Sequence, residues 1–235
     1  MKLRPLVSVY LIVLLVFLLI VQLGSQVVTV MIEKSPIENR HCIILDAGHG
    51  GIDGGATSCS GVLESHINLQ ISQRLNDLLR FLGHGTKMIR TTDTSVYTEG
   101  NSIAAQKVSD LKNRVKTVNE TENALLVSIH QNTFSDGRYS GAQVFYAKDD
   151  ASKILAAKMQ SAFIETLNPG SNRKCKPSEG IYLLQNIEAP GILIECGFLT
   201  NAEEDAKLND AEYQKKVACV IASILSQYLK NAPLD

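Results

Sequence analysis

Two histidines and two carboxylates in this sequence have the types and settings needed for metal-assisted hydrolysis. His49 lies in Asp-Ala-Gly-His-Gly-Gly, where the glycines let the backbone turn sharply and keep side-chain bulk away. His130 ends the apolar run 124–129, and Glu195 directly follows Gly-Ile-Leu-Ile. Glu64 lies in Leu-Glu-Ser-His, at the start of a predicted helix. Two His and one Glu with an open fourth position form a catalytic zinc site, and a second carboxylate then moves the proton.

Each of these residues also has a purely structural interpretation. His130 in a buried strand can simply bond a backbone carbonyl, and Glu64 can stabilise a helix start through the helix dipole. His66 is a rival ligand to Glu64, because residues two apart on a helix do not share a face and are not expected to bind one ion together. The residues alone do not choose between Glu64 and His66.

Glu195 has the setting of a proton-transfer group. A carboxylate at the end of an apolar strand is costly to bury unless it is paired or has a function. Burial raises the pKa of a carboxylate toward the range that suits a general base. The structural alternative is a salt bridge, for which the sequence offers no clear partner. No H-E-x-x-H motif occurs, so the peptidase class that carries this motif is excluded.

The elements that must position these residues follow from position 41 onward. Short apolar runs alternate there with stretches of helical period, a pattern typical of βαβ units. We predict one α/β domain with a mostly parallel, twisted sheet of about six strands flanked by helices. The predicted strands are 42–45, 86–90, 124–129, 141–147, 180–184 and 191–194, and the predicted helices are 67–82, 104–119, 152–167 and 211–229. His49, His130 and Glu195 follow the first, third and sixth strands, so we expect them at the carboxyl edge of the sheet, where ligands bind in such folds.

The N-terminus differs from the rest of the chain. Residues 6–23 carry no charge, and Lys2 and Arg4 precede them. This length approaches the roughly 20 residues that span a bilayer as a helix, and the flanking positive charge predicts that the remainder is exported. We therefore predict a membrane anchor over 1–24, a linker over 25–40 and a catalytic domain over 41–235. A cleaved signal peptide is the alternative, although no A-x-A-like site follows Leu23.

Composition narrows the function classes further. The net charge is −1, which argues against a nucleic-acid binder. The five cysteines include no C-x-x-C pair, so no thiolate zinc site or redox motif is indicated. Cys42, Cys196 and Cys219 lie among apolar residues, and we interpret them as small buried hydrophobes.

Four segments in this order resemble the N-acetylmuramoyl-L-alanine amidase family known as Amidase_3. They are LDAGHGGIDGG (45–55), Glu64, VSIHQN (127–132) and PGILIECGFLTN (190–201), and the resemblance covers about 41–230. It implies Zn²⁺ held by His49, Glu64 and His130, which selects Glu64 over His66, with Glu195 as general base. The implied reaction hydrolyses the amide between the lactyl group of muramic acid and L-alanine in peptidoglycan.

Within this family the chain is most similar to the sporulation amidases of spore-forming Firmicutes. That similarity implies removal of stem peptides from spore cortex peptidoglycan, on the way to muramic δ-lactam, in the forespore intermembrane space. Beyond the anchor and the catalytic domain we expect no wall-binding module, so we hypothesise that an exported protein positions or activates the enzyme. The competing interpretations are another zinc hydrolase, such as a peptidase or deacetylase, and a membrane-tethered wall-binding protein that is inactive alone.

Some positions differ from the family pattern or remain open. Members often have Ala where this chain has Gln131, whose amide we expect either at the substrate or at the zinc water. The segment 172–177 matches only loosely a family segment that contains Arg near Gly. Asp46 and Asp53 are expected either to orient the ligand imidazoles or to cap their own glycine-rich loop.

Overall fold

The computed structural model describes residues 13–19, 21–22 and 41–231. Residues 13–19 and 21–22 are helical. Across these described ranges, no helix has both the length and the apolar character that a membrane crossing requires. Most of the predicted anchor over 1–24, and all of the predicted linker over 25–40, lie outside the described residues.

The domain is built on a six-stranded mixed sheet with the order β2-β1-β3-β6-β4-β5. The strands are β1 (Cys42–Ala47), β2 (Gly85–Met88), β3 (Ala124–Asn132), β4 (Gln143–Tyr146), β5 (Lys176–Pro177) and β6 (Gly191–Phe198). The neighbouring pairs β2–β1, β1–β3 and β3–β6 are parallel. Strand β4 is antiparallel to β6, and β5 is parallel to β4. The predicted α/β sheet is confirmed, with its parallel part centred on β1, β3 and β6.

Helices cover both faces of this sheet. They are α1 (Glu64–Phe81), α2 (Ile103–Asn119), α3 (Asp150–Thr166), α4 (Tyr182–Asn186), α5 (Ala202–Leu208) and α6 (Ala211–Asn231). Because successive strand residues point to opposite faces, Ile43 and Leu45 pack with α1, α3 and α6, while Ile44 packs with α2 and α4. The central strands are buried on both faces, which explains their unbroken apolar runs.

Two short segments differ from the predicted elements. The predicted strand 180–184 is wrong, because this run enters helix α4 and buries Leu183 and Leu184 against the second face of the sheet. A five-residue apolar run does not by itself distinguish a strand from a buried helical turn. Helix α5 was not predicted. It begins after Asn201, whose side chain accepts hydrogen bonds from Glu203 N and Glu204 N, as an N-cap residue does.

The cysteines are all free in the described structure. Cys196 is buried as predicted and Cys42 is half-buried, but Cys219 is exposed on α6. The apolar neighbours of Cys219 in sequence therefore lie on the other side of its helix.

The side chain of Gln160 closes one stretch of the sheet edge. Strand β5 pairs only with Phe145 and Tyr146 of β4. Beyond that stretch, Gln160 Oε1 accepts a hydrogen bond from Val144 N at 2.9 Å and Gln160 Nε2 donates to Ala142 O at 3.0 Å. An amide side chain from α3 thus supplies the hydrogen bonds that a further strand would make.

Candidate active site

Three potential metal ligands meet at the carboxyl edge of the sheet. His49 lies just after β1, Glu64 is the first residue of α1, and His130 lies near the end of β3. His49 Nε2 is 3.3 Å from Glu64 Oε2, and His130 Nδ1 is 3.0 Å from Glu64 Oε1. One potential ligand atom from each of the three residues can be chosen so that all three atoms lie within 4.8 Å of one another. These are the three residues that the family resemblance implies as zinc ligands.

The donor set fits a zinc ion. Zn–N and Zn–O distances of about 2.0–2.1 Å in a tetrahedral site place ligand atoms roughly 3.4 Å apart, close to the separations of Glu64 from the two histidines. The His49 and His130 rings are nearly perpendicular, at 72°, with centroids 4.9 Å apart. Two imidazoles and one carboxylate also match the ligand types of catalytic zinc sites.

The Glu64 carboxylate is fixed by the surrounding backbone. It is 4 % exposed. Oε2 accepts a hydrogen bond from Ala56 N at 3.1 Å, and Oε1 accepts one from Gln131 N at 3.1 Å. Burial opposes ionisation of this group, but the hydrogen bonds and charges of His130 and His49 outweigh burial and hold the Glu64 pKa well below its usual range. Glu64 is therefore an anion ready to bind a cation.

His49 adopts a left-handed backbone conformation, with φ of 61°. Its Nδ1 lies 3.0 Å from Asp53 Oδ2, and Asp53 Oδ1 pairs with Lys107 Nζ at 2.8 Å. Burial disfavours the imidazolium, but Glu64 and Asp53 outweigh burial and raise the pKa of His49 to about 9. Asp53 thus orients the His49 imidazole and also accepts a hydrogen bond from Gly55 N at 3.4 Å in its own glycine-rich loop, so both contacts expected for it occur. Metal binding to this imidazole therefore competes with its protonation.

The segment that carries His49 leaves no room for side chains. A Cβ on Gly48 would lie 2.2 Å from His130 Nε2. Gly55 has φ of 69°, and a Cβ there would lie 2.7 Å from Glu64 Oε2. The glycines of the motif are therefore required by the close approach of the ligands as well as by the turn.

Two buried arginines hold the same segment through its carbonyl groups. Arg90 donates to Ala47 O at 2.7 Å and, through Nη2, to Gly48 O at 3.0 Å and Ser65 O at 2.8 Å. Arg114 donates to His49 O at 2.7 Å. Arg90 consequently ties the loop that carries His49 to the helix start that carries Glu64. Neither arginine was singled out from the sequence.

Asp46 belongs to this supporting network. It is 1 % exposed, forms an ion pair with Arg114 and accepts a hydrogen bond from Ser128 Oγ at 2.6 Å. Burial opposes its ionisation, but the charges of Arg114 and His130 outweigh burial, so the Asp46 pKa is lowered. Asp46 therefore joins β1 to β3 two residues before His130, and neither of the two roles expected for it describes this contact.

Glu195 lies beside His130 on the neighbouring strand. The two residues pair in the β3–β6 register, and the register then shifts by one residue before Asn132 and Phe198. Such bulges often accompany active sites. Glu195 Oε2 is buried and has no hydrogen-bond partner among the described residues. Burial raises the pKa of Glu195 to about 7. No salt bridge involving Glu195 occurs in the described structure, contrary to the structural alternative.

His66 is not part of this group. Its Nε2 lies 3.0 Å from Asp93 Oδ2, and its side chain is 44 % exposed. Because α1 begins at Glu64, the two residues point in different directions, as expected for positions two apart. Glu64, and not His66, meets the two histidines.

Gln131 lies behind the site rather than at its opening. It is 3 % exposed, and its Nε2 donates to Asn68 Oδ1 at 3.1 Å. Neither position expected for its amide, at the substrate or at the zinc water, matches this contact. Asn68 is a further residue that sequence reasoning missed. Its position four residues after Glu64 on a helix is the one signal that places it on the same face.

The loosely matching segment 172–177 contacts the edge of the sheet through β5, which pairs with β4, and through the side chain of Arg173. The Arg173 guanidinium lies 4.7 Å from the centroid of the Phe198 ring, and its Nε donates to Ser140 O at 2.9 Å. The arginine therefore packs on the last residue of β6, three positions after Glu195.

Comparisons with known proteins identify the family of this chain. Residues 43–227 match the family described as "N-acetylmuramoyl-L-alanine amidase", Amidase_3. The chain is 39% identical, over 187 residues, to the germination-specific N-acetylmuramoyl-L-alanine amidase of Bacillus subtilis, covering 79% of this chain and 78% of that protein. The match includes all four residues of the predicted site by position in the chain.

Solved structures with a similar fold are also amidases. The CwlD amidase from Clostridioides difficile, solved in complex with the GerS lipoprotein, has a TM-score of 0.78 and 38% identity, covering 82% of this chain and 100% of that one. An N-acetylmuramoyl-L-alanine amidase from Clostridium difficile 630 has a TM-score of 0.72 and 30% identity, covering 83% and 100%. The family predicted from the motifs is thus confirmed, and the chain belongs to the N-acetylmuramoyl-L-alanine amidases that act on peptidoglycan.

Proposed function

We propose that the protein is a zinc-dependent amidase in which His49, Glu64 and His130 hold the metal and Glu195 is the general base. The observation that carries this proposal is the meeting of the three ligand atoms within 4.8 Å on the same sheet edge as a carboxylate oxygen that is buried and unpaired. A bound zinc ion supplies Lewis acidity, which makes water a better nucleophile at neutral pH and polarises an amide carbonyl.

The residues of this chain then divide the work of hydrolysis. Glu195, whose pKa burial raises to about 7, takes a proton from the attacking water. It returns that proton to the nitrogen of L-alanine as the bond to the lactyl carbonyl breaks. Asp53 holds the His49 imidazole through Nδ1, so that Nε2 faces Glu64. The products are a free muramic carboxylate and a stem peptide with an L-alanine N-terminus.

We further propose a setting for this reaction. The matched proteins in Bacillus subtilis and Clostridioides difficile are a germination-specific amidase and CwlD, which supports a role in spore cortex peptidoglycan. The uncharged segment 6–23 supports a membrane anchor over 1–24 and a linker over 25–40, with the domain from 41 on the wall side of the membrane. The complex of CwlD with the GerS lipoprotein supports the hypothesis of an exported activating partner for this chain.

Zinc content and peptide release test the catalytic proposal together. The full-length chain, purified with and without Glu195→Ala, is incubated with intact peptidoglycan after its metals are measured. We expect about one zinc per chain in both proteins, and new L-alanine N-termini only from the wild type. New reducing sugar ends, or peptides that begin at a later residue, would identify a different hydrolase. Folded wild type that binds no zinc, either alone or with an extract of the exported proteins, would refute the metal site.

The partner hypothesis has its own measurement. Full activity and full zinc occupancy of the wild-type chain alone, at physiological zinc concentration, would contradict a need for an activator. Activity that rises only when an extract of the exported proteins is added would support it.

A further inference from the structure

Two buried amide side chains lie behind Glu64, outside the set of residues that the proposed reaction uses. Asn68 is fully buried and Gln131 is 3 % exposed. Asn68 Nδ2 donates to Glu64 Oε1 and to Gly48 O, both at 3.2 Å. Gln131 Nε2 donates in turn to Asn68 Oδ1 at 3.1 Å. The chain of donors therefore runs from Gln131 through Asn68 to a carboxylate oxygen of the candidate ligand.

The direction of this chain follows from the types of its end groups. One terminal amide atom of Asn68 faces two acceptors, a carboxylate oxygen and a carbonyl oxygen. That atom must therefore be the nitrogen, which can donate to both. The other amide atom of Asn68 is then the oxygen, and the Gln131 atom that faces it must be a nitrogen. Without Gln131, the Asn68 oxygen loses its donor, and only the two acceptors Glu64 Oε1 and Gly48 O still hold the orientation of the Asn68 amide.

We propose that Gln131 is a positioning residue for the metal site, which acts by locking the orientation of Asn68 and, through it, the orientation of the Glu64 carboxylate. This inference rests on the proposed ligand role of Glu64. Groups that hydrogen-bond to metal ligands typically change metal affinity by about 10–100-fold when they are removed. Gln131 acts through one intermediate residue, so we expect an effect near the lower limit.

Gln131 is poorly placed for a purely stabilising role. Its Oε1 is buried and has no N–H or O–H partner among the described residues. The side-chain amide contacts only the Cys196 thiol in addition to Asn68, and a thiol is a weak hydrogen-bonding group. A buried polar atom so poorly paired lowers stability. An apolar side chain of similar length removes that penalty. A positioning role and a packing role therefore predict opposite changes: weaker metal binding with stability retained, or lower stability with metal binding retained.

The experiment measures zinc affinity and metal-free stability of the full-length chain with Gln131→Met. Zinc Kd is obtained by competition with a chromophoric chelator, and stability by urea unfolding in excess chelator. We expect a Kd about 10-fold weaker than wild type and a free energy of unfolding that is equal or higher. Gln214→Met is the matched control, because Gln214 is also fully buried, donates through Nε2 to Gln70 Oε1 and has an unpaired Oε1. It touches no candidate ligand, so its zinc Kd should match wild type.

A second variant tests whether Gln131 acts through Asn68. Asn68→Leu should weaken zinc binding at least as much as Gln131→Met, and adding Gln131→Met to Asn68→Leu should produce no further loss. Additive losses, or a Gln131→Met Kd within twofold of wild type, would overturn the inference while leaving the metal site intact. If the wild-type chain binds no zinc either alone or with an extract of the exported proteins, both the site and this inference fail.

Discussion

The substitution Glu195→Gln should change the stability of the metal-free protein in a way that depends on pH. Burial raises the pKa of Glu195 from its ordinary 4.5 to about 7. Between these values the unfolded chain has lost the proton while the folded chain keeps it, so wild-type stability falls as pH rises. At about 1.4 kcal/mol per pKa unit, this loss reaches at most about 3 kcal/mol above pH 7. It is an upper limit because part of the side chain retains contact with solvent.

Glutamine does not titrate, so the variant escapes this loss. Below pH 4.5 we expect the free energies of unfolding of Glu195→Gln and wild type to differ by an offset that does not depend on pH. Relative to that offset, the variant should gain about 2 kcal/mol between pH 5 and pH 8. The assay is urea unfolding in excess chelator at several pH values, followed by circular dichroism. Amidase activity of the zinc-loaded variant should fall by at least about 100-fold, because general-base catalysis contributes that much.

Glu204→Gln is a matched control that should lower the free energy of unfolding rather than raise it. Glu204 is also buried, but Oε1 accepts a hydrogen bond from Gly141 N at 2.9 Å and Oε2 accepts one from Phe198 N at 2.8 Å. An amide nitrogen in place of either oxygen faces a donor, so this variant should lose about 1–3 kcal/mol. If the difference between Glu195→Gln and wild type stays constant from pH 5 to pH 8, the reasoning about burial of Glu195 is wrong.

Three further predictions address the residues around the ligands. Gly48→Ala should abolish zinc binding, measured by chelator competition, because the new Cβ lies 2.2 Å from His130 Nε2. His66→Ala should leave zinc Kd within about twofold, since His66 pairs with Asp93 away from the site and exposed pairs contribute little. Arg90→Met should lower the free energy of unfolding by about 2–4 kcal/mol, measured with urea, because it removes three buried hydrogen bonds from a charged donor.

The first two of these predictions each have an outcome that would contradict them. Gly48→Ala that binds zinc normally would show that His130 is not held where the structure places it. A large loss of zinc affinity in His66→Ala would return that residue to the list of ligands. Gly85→Ala serves as a glycine control, because its Cβ would meet only His41 O, at the ordinary distance of 3.8 Å.

The candidate site was predictable from the sequence to the extent that it follows the ends of strands. His130 and Glu195 come directly after an apolar run and His49 follows one within a few residues, and parallel strands bring their carboxyl ends to one edge of the sheet. Glu64 was different, because helical spacing alone left His66 as a rival and only the family resemblance decided between them. The three-dimensional contact with both histidines shows the physical reason for that choice.

The supporting residues could not be predicted in the same way. Arg90 reaches Gly48 O and Ser65 O, which are distant in sequence and become neighbours only after folding. The strand predicted at 180–184 was wrong for a local reason, because a short apolar run suits a buried helical turn as well as a strand. Tertiary packing, rather than pattern, selected the helix there.

The contact between Gln160 and β4 has a consequence for how peptides reach this enzyme. Extended peptides often bind proteins by adding a strand to an exposed sheet edge. Next to the strand of Glu195, the backbone groups Ala142 O and Val144 N already bond to Gln160. Stem peptides therefore find no vacant backbone groups at these positions of β4. Recognition of a stem peptide along this stretch would then depend on side chains rather than on an added strand.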